Sequence, residues 1–480
     1  IYCPSLNYIN TNRKKNTAII MKVKALTRSK ASTQRECIGD LRKQFTNLDP
    51  KHHPMQRARE YQRAVVGAKL ERMFAAPLCP GNLEHADAVT ATSICRQHLL
   101  PLASGSADGV VKLWDLSTRK AMKVYDSGHS RAITGLCFGN GSGSKPPMVY
   151  SCSDDAEIRA WNVSSSTTDD DDDNNLSVSS WKTDSSLKCI DHHWSEDGQF
   201  STASNDGICV WNTERASPIQ TFTDLWESSD TVHFVAYNPA ESHLLGVCTM
   251  DNGIGLIDTR HGTALSKTQL RMRSNVLRFN PMEPLNFLVA NEDHQCHWFD
   301  MRKLESPVRI FKGHTAAVLD VAWSPTGREF VSGSYDKTLR IFNIQGPGSS
   351  RDVYHTKRMQ RVFCVEYTRD SQFVLSGSDD GNVRLWKSQA SAAVGQTMKP
   401  REQAALQYRQ ALVKKYSHTD EVRRISKSRN IPKLIRKQHA QEQLQKDKAQ
   451  RKLENKAKHS KPGTVKFEAE RKKVVVRKVD

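Results

Sequence analysis

The sequence predicts an all-β, seven-bladed propeller with a basic arm before it and a basic, mainly helical extension after it. Three observations carry this. A segment of 42 to 50 residues recurs seven times, closing on Trp114, Trp161, Trp211, Ile257, Phe299, Phe342 and Trp386. An Asp stands six residues before six of these positions (Asp108, Asp155, Asp251, Asp293, Asp336, Asp380), and Asp206 stands five before Trp211. Beyond Trp386 the strand-like alternation stops and the composition shifts to Gln, Ala, Leu, Lys, Arg and Glu. A period of about 40–45 residues, each ending in an Asp turn and an aromatic strand, marks propeller blades, which bury their faces only against one another.

Taken in order, residues 1–20 lack an initial Met and any usable periodicity, and Met21 opens a basic stretch, MKVKALTRSK. They read as translated upstream sequence, with Met21 as initiator. Residues 21–72 form the basic arm, 73–395 the propeller and 396–480 the extension. Residues 1–72 hold 16 Lys/Arg against 5 Asp/Glu, and residues 400–480 hold 24 against 9. The stretch between them holds 31 against 38, so a mildly acidic body carries two basic arms within the net charge of +19. Lys and Arg displace condensed counterions from phosphate backbones, so such arms point to nucleic acid or ribonucleoprotein; the plain alternative is solvated charge that keeps the tails soluble. Arg423, Arg424, Lys427, Arg429, Lys433, Arg436 and Lys437 are the densest candidate phosphate-contacting cluster.

Within the propeller, the best repeat runs from Gly313-His314 through AVLDVAWSPTG and VSGSYDKTLRIF to Phe342. The turn Asp accepts turn amides and the preceding His, and a hydroxyl and a closing indole extend the chain of bonds. His314, Ser332 and Asp336 are therefore expected to hold blade 6 together, with Asp108 and Trp114 serving blade 1 and Asp380 and Trp386 serving blade 7. The fourth blade has neither the His nor the Trp. Residues 164–185, with the acidic run Asp169 to Asp173, read as a surface loop. In the extension, Pro400 and Pro432 stand where helices can begin. Ala404, Leu406, Tyr408, Leu412 and Val413 offer one docking face, while the run from Leu434 to Lys458 has few apolar positions and reads as a solvated helix.

Several chemistries find no support. The eleven cysteines approach no closer than Cys137 and Cys152, which argues against a zinc ribbon or a small disulfide framework. Cys209, Cys248 and Cys364 sit in strand-like runs as small apolar residues, which fits a reducing compartment. No apolar run approaches the about 18 residues that span a bilayer. The stretch GNGSGSK from Gly139 lacks phosphate-loop spacing. His192-His193 are adjacent strand residues pointing to opposite faces, so they do not readily share a metal; one His is expected in the core and the other in a turn. No catalytic residue, metal, cofactor or small-molecule substrate is expected.

The repeat pattern resembles the WD-repeat family over about 320 residues. In that family a strand from before the first repeat commonly completes the last blade, and Glu71-Arg72-Met73-Phe74 is expected to supply it here. Further stretches narrow the match: LDPKHHPMQRAREY from Leu48, KLERMFAAP from Lys69, IDHHW from Ile190, YHTKRMQ from Tyr354, NIPK from Asn430 and HSKPG from His459. Together they resemble the Sof-type WD-repeat proteins of the U3 small nucleolar ribonucleoprotein. The resemblance implies a nucleolar, non-enzymatic scaffold of the small-subunit processome that serves processing of the 18S ribosomal RNA precursor. Its partners would be processome proteins, U3 small nucleolar RNA and pre-ribosomal RNA. It also implies an alternative, a substrate receptor of a cullin-RING ubiquitin ligase whose adaptor reads a W-D-x-R-like blade ending. Ile257-Asp258-Thr259-Arg260 and Phe299-Asp300-Met301-Arg302 match loosely, so Asp258, Arg260, Asp300 and Arg302 are the candidate contacts. The competing reading is that these Asp–Arg pairs only stabilise turns.

Overall fold

A computed structural model describes residues 50–479, except for 53–54, 82, 127, 141–146, 164–176, 224–225, 227–230, 393–398, 462–463 and 465–468. The proposed upstream segment, all but the end of the N-terminal arm, the acidic run and most of GNGSGSK lie outside the described residues.

The chain forms seven antiparallel sheets in sequence order, one per repeat. Blade 1, for example, is built from Val89–Ile94, Pro101–Ser106, Val111–Asp115 and Lys120–Tyr125, running outward from the central channel. All seven closing positions fall on the third strand of their blade, and all are between 0 and 3% exposed. Burying a large apolar side chain is worth roughly 1.5–3 kcal/mol, so these residues anchor the blade cores. Connections between the second and third strands, and from one blade to the next, share one face, the upper. Connections between the first and second strands, and between the third and fourth, share the lower.

Ring closure follows the expected principle with different residues. Leu78–Cys79 pairs antiparallel with the third strand of blade 7, Leu78 opposite Trp386 and Cys79 opposite Leu385. Glu71-Arg72-Met73-Phe74 does not form that strand: Glu71 to Met73 are the last turn of helix α1, Gln56–Met73. The stretch QRAREYQRAVVGAKLERM carries helix formers throughout, and its propensity overrides the apparent likeness of ERMF to a strand. Pro77 then ends any helical continuation and delivers the next residues as the closing strand.

Adjacent blades are stapled by the second residue of the inner strand. Thr90 Oγ1 donates to Ile133 O at 2.5 Å, Thr134 Oγ1 to Leu187 O at 2.9 Å, and Asn275 Nδ2 to Val318 O at 2.8 Å. His233 Nε2 reaches Ser274 O at 2.7 Å in the same position of blade 4.

The buried polar network is complete in blade 2. There His129 Nδ1 lies 3.0 Å from Asp155, its Nε2 lies 2.7 Å from Ser151 Oγ, and Trp161 Nε1 donates to Ser151 at 2.8 Å. Blade 6 repeats it with His314, Asp336 (2.9 Å) and Ser332 (2.6 Å), closed by the apolar Phe342. Burial would raise the Asp336 carboxyl, but the charge and hydrogen bond of His314 outweigh it and hold it well below its usual range. In blade 1, His85 and Trp114 both reach Ser104 at 2.6 Å, while Asp108 accepts the turn amide of Val110. In blade 7, Trp386 donates to Ser376 at 2.9 Å and Asp380 takes Arg384 instead of a His. Blade 3 shows why Asp206 is one residue late: Gly207 has φ of +139°, and a Cβ there would sit 2.1 Å from Phe222 O. The tightened turn needs glycine.

The described residues divide into two units. In the smaller, which takes residues up to Gly67 and 396–417, α1 meets helix α2, Pro400–Lys415. Lys415 Nζ lies 2.7 Å from Glu60, Tyr416 OH donates to Glu60 at 3.1 Å, and the Tyr61 and Tyr416 rings meet edge-on at 5.8 Å. Pro400 opens α2 as expected. The docking face is narrower than the sequence implied: Leu412 is buried and Leu406 and Val413 half-buried, whereas Ala404 and Tyr408 are exposed. The larger unit holds the propeller and residues from His418 onward.

Candidate functional site

The extension re-engages the propeller within the larger unit through helix α3, Asp420–Lys427, helix α4, Lys433–Lys458, and a terminal strand, Val475–Val479. Val422 and Ile435 are its buried apolar anchors. The polar anchor is Asp352, whose side chain is 10% exposed. Its carboxylate accepts hydrogen bonds from Arg72 at 3.1 Å and Arg351 Nε at 3.0 Å, and forms a looser ion pair with Arg429 at 3.8 Å. Arg72 and Arg429 each also donate to Ser426 O at 2.6 Å, which satisfies a carbonyl in the last turn of α3 and places positive charge at its negative end. Six of the seven candidate phosphate contacts are exposed: Arg423, Arg424, Lys427, Lys433, Arg436 and Lys437. Arg423 also pairs with Asp420 at 2.9 Å on the same helix. Arg429 is turned inward, donating to Ser426 O and Ser428 O and ion-paired with Asp352. Helix α4 is solvated as expected, with Ile435 its one buried residue.

On the lower face, Asp258 and Asp300 end the third strands of neighbouring blades 4 and 5. Each accepts its own arginine in a fork, Arg260 from Nε (3.2 Å) and Nη2 (2.9 Å), Arg302 from Nε (3.1 Å) and Nη2 (3.0 Å). Each Asp also accepts the backbone amide of that Arg. The guanidinium hydrogen bonds hold both carboxyls below their usual range. These pairs stabilise their turns, and the guanidinium groups remain largely exposed, at 59% and 67%.

The channel mouth on the same face holds a charged cluster that sequence reasoning missed. Arg96, past the inner strand of blade 1, reaches Asp191 on blade 3 at 3.3 Å, donates to His192 O at 3.1 Å and stacks 4.0 Å over Trp194. Arg369 in turn donates to Arg96 O at 2.9 Å. Asp191 accepts the Tyr237 amide, and Asp320 the Val365 amide, each across a blade junction at 2.8 Å. Arg96, Asp191, Trp194 and Arg369, with Arg278 and Glu366, line a cavity of about 160 Å³. Burial pushes the Glu366 carboxyl up to about 7 against the opposing pull of Arg278. The available signal was a charge inside an otherwise apolar inner strand, as in VLRF, AVLDVAW and VFCVEY. The two adjacent histidines separate as expected: His192 is fully buried, and His193 Nδ1 accepts the turn amide of Glu196 at 2.8 Å.

The comparisons with known proteins fit this division. The model for the WD domain, G-beta repeat, matches residues 79–115, 120–162, 305–343 and 352–387, and the model for the Sof1-like domain matches 388–475. The chain is 39% identical over 460 residues to DDB1- and CUL4-associated factor 13 of Danio rerio, covering 96% of this chain and 100% of that protein. It is 39% identical over 408 residues to Protein SOF1 of Saccharomyces cerevisiae, covering 82% of each. The Homo sapiens DDB1- and CUL4-associated factor 13 is 39% identical over 456 residues, 95% of this chain and 99% of that protein. The chain belongs to the Sof1-like family of WD-repeat proteins. The repeat model matches blades 1, 2, 6 and 7 of this Sof1-like protein; blades 3 to 5 have a contracted turn, an Ile257 closure and a Phe299 closure, yet fold alike. Two of the stretches that carried the Sof-type resemblance serve as joints. IDHHW supplies Asp191 and Trp194 to Arg96, and YHTKRMQ supplies Tyr354, stacked on Trp386 at 5.6 Å, and the buried Met359.

Proposed function

We propose that this Sof1-like protein is a non-catalytic scaffold of the small-subunit processome, acting in the nucleolus in processing of the 18S ribosomal RNA precursor and biogenesis of the small ribosomal subunit. The observation that carries it is the division of labour in the larger unit: a stapled, acidic propeller to which a basic Sof1-like segment is pinned at Asp352, leaving Arg423, Arg424, Lys427, Lys433, Arg436 and Lys437 at the surface. Exposed lysines and arginines on a held segment suit a polyanion such as U3 small nucleolar RNA or the pre-ribosomal transcript, while the propeller docks processome proteins. No small molecule, cofactor or membrane enters this mechanism. The test is crosslinking and sequencing of RNA bound to the native protein, with gradient sedimentation. Recovery of U3 or pre-ribosomal RNA in large particles is the expected result, and recovery of messenger RNA alone sinks the reading.

A second reading is supported by the names of the vertebrate relatives, DDB1- and CUL4-associated factor 13, and by the paired forks at Asp258–Arg260 and Asp300–Arg302. They present two equivalent arginines on adjacent blades of one face, a spaced pattern for the adaptor of a cullin-RING ligase. Arg260→Ala with Arg302→Ala should abolish co-purification of that adaptor; unchanged recovery removes these arginines from the role.

A further inference from the structure

The terminal strand does more than lengthen blade 4, and we propose that the cavity it helps to enclose binds the phosphodiester backbone of single-stranded RNA. This rests on the ribosome-assembly reading and deepens it by naming a second RNA site, separate from the α3–α4 cluster. Val475–Val479 pairs antiparallel with the outer strand of blade 4, Thr263–Leu270, with Gln269 opposite Arg477 and Leu270 opposite Val475, and Arg271 N donates to Val474 O at 3.1 Å. That pairing sets the preceding 3-10 turn, Glu470–Lys473, against the rim of blade 5, where Lys446 of α4 also arrives. The result is a cavity of about 650 Å³, within the size range that organic ligands occupy.

Its charge is lopsided. Arg271, Lys312, Lys446 and Lys473 line it against Asp293 and Glu470. Asp293 is already spent on the Gln295 amide and His297 Nε2, each at 3.0 Å. Glu470 pairs with Lys312, whose hydrogen bond, with the nearby charges of Lys312, Lys446 and Lys473, holds its carboxyl below the usual range. Among the described residues, none of Arg271, Lys446 and Lys473 is in an ion pair, and exposed Arg471, Lys472 and Arg477 continue the positive stripe. The surplus of positive charge around one concavity repels itself in the free protein, and an anion relieves it. Lysine dominates the rim, and an ammonium is a point charge that takes phosphate oxygens from any direction. The apolar lining from Met272, Ile310 and Val474 accommodates sugar and base edges, and among the described residues no aromatic side chain lines the cavity as a stacking platform. The contact is therefore with the backbone and neutral to sequence.

The test uses the full chain and a 20-nucleotide oligouridine, with anisotropy titrations across a salt series. Arg271→Ala with Lys446→Ala and Lys473→Ala should weaken binding about tenfold or more and flatten the log–log salt slope by about 2, since each phosphate contact on a single strand contributes about 0.7. The charge-keeping variant, Arg271→Lys with Lys446→Arg and Lys473→Arg, should bind like the wild type, which a merely structural role would not require. Unchanged affinity and slope in the alanine variant overturn the proposal. So does wild-type binding to a polyglutamate peptide but not to oligouridine, which makes the cavity a protein-docking site. A wild type that binds through the cavity but never sediments with pre-ribosomal particles overturns the processome reading and leaves the cavity standing. Particle association with an alanine variant that still binds oligouridine normally does the reverse.

Discussion

Arg96 of blade 1 bonds Asp191 of blade 3 at 3.3 Å, spanning the lower mouth of the channel past blade 2. The bond ties non-neighbouring blades, so it resists the ring opening that staples between neighbours alone would permit. Both groups are mostly buried, and removing one partner of such a pair strands the other. Arg96→Ala should therefore destabilise the propeller by about 2–4 kcal/mol, read as a lower midpoint in thermal or denaturant unfolding. Arg96→Met with Asp191→Asn should lose less than the single change, because no buried charge is orphaned.

Glu366 faces the same cavity and carries a pH signature. Its carboxyl ionises near 7 in the folded chain against 4.5 as its ordinary value. The native state thus binds the proton more tightly than the unfolded state between these values, and stability is lost as pH rises through that window. Well above pH 7 the ionised group costs on the order of 3 kcal/mol. Glu366→Gln should raise the melting temperature at pH 8, and the gap should close by pH 5. A constant gap across that range excludes this titration as its source.

The histidines oppose that trend. Burial depresses His85, His192 and His233 to about 4 from 6.5. The unfolded chain therefore takes up their protons first, and stability falls as pH drops from 6.5 toward 4. His192 is the clearest case, because among the described residues its buried Nε2 has no hydrogen-bond partner and its ring stacks 5.7 Å from Tyr150. His192→Phe should be slightly less stable at pH 7, where it loses the bond from Nδ1 to His193 O. By pH 4.5 the variant should equal or exceed the wild type, as measured by urea midpoints at the two pH values.

The blades were legible because their determinants are local: an Asp turn, a closing aromatic and strand alternation recur wherever the chain must make the same sheet. Even Ile257 could be placed by spacing. The closing strand was displaced because ERMF reads as a strand only when isolated from the helix-forming run that contains it. Arg429 and Asp352 lie 77 positions apart, and nothing in either local sequence announces that the arginine turns inward. The channel-mouth charges and the cavity on blade 5 were hidden for the same reason, being assembled from five or more separate segments. Long-range polar geometry is what periodicity does not encode.

The Asp352 junction yields the last expectation. Three arginines, Arg72, Arg351 and Arg429, converge on one carboxylate that is 10% exposed, and two of them also hold the end of α3. Asp352→Asn keeps the size of the side chain but leaves three cations facing one another, so it should cost more than Arg429→Ala, which removes a single cation. The cost should fall on docking of the extension: α3 has Val422 as its one buried residue, whereas the propeller keeps all seven sheets. Limited trypsin digestion should therefore cut Asp352→Asn faster between residues 418 and 437 than wild type, with the propeller fragment remaining protected. Equal cleavage rates would place the strength of the docking in Val422 and Ile435 instead. Faster cleavage accompanied by weaker association with pre-ribosomal particles would tie the held conformation of the extension to its function.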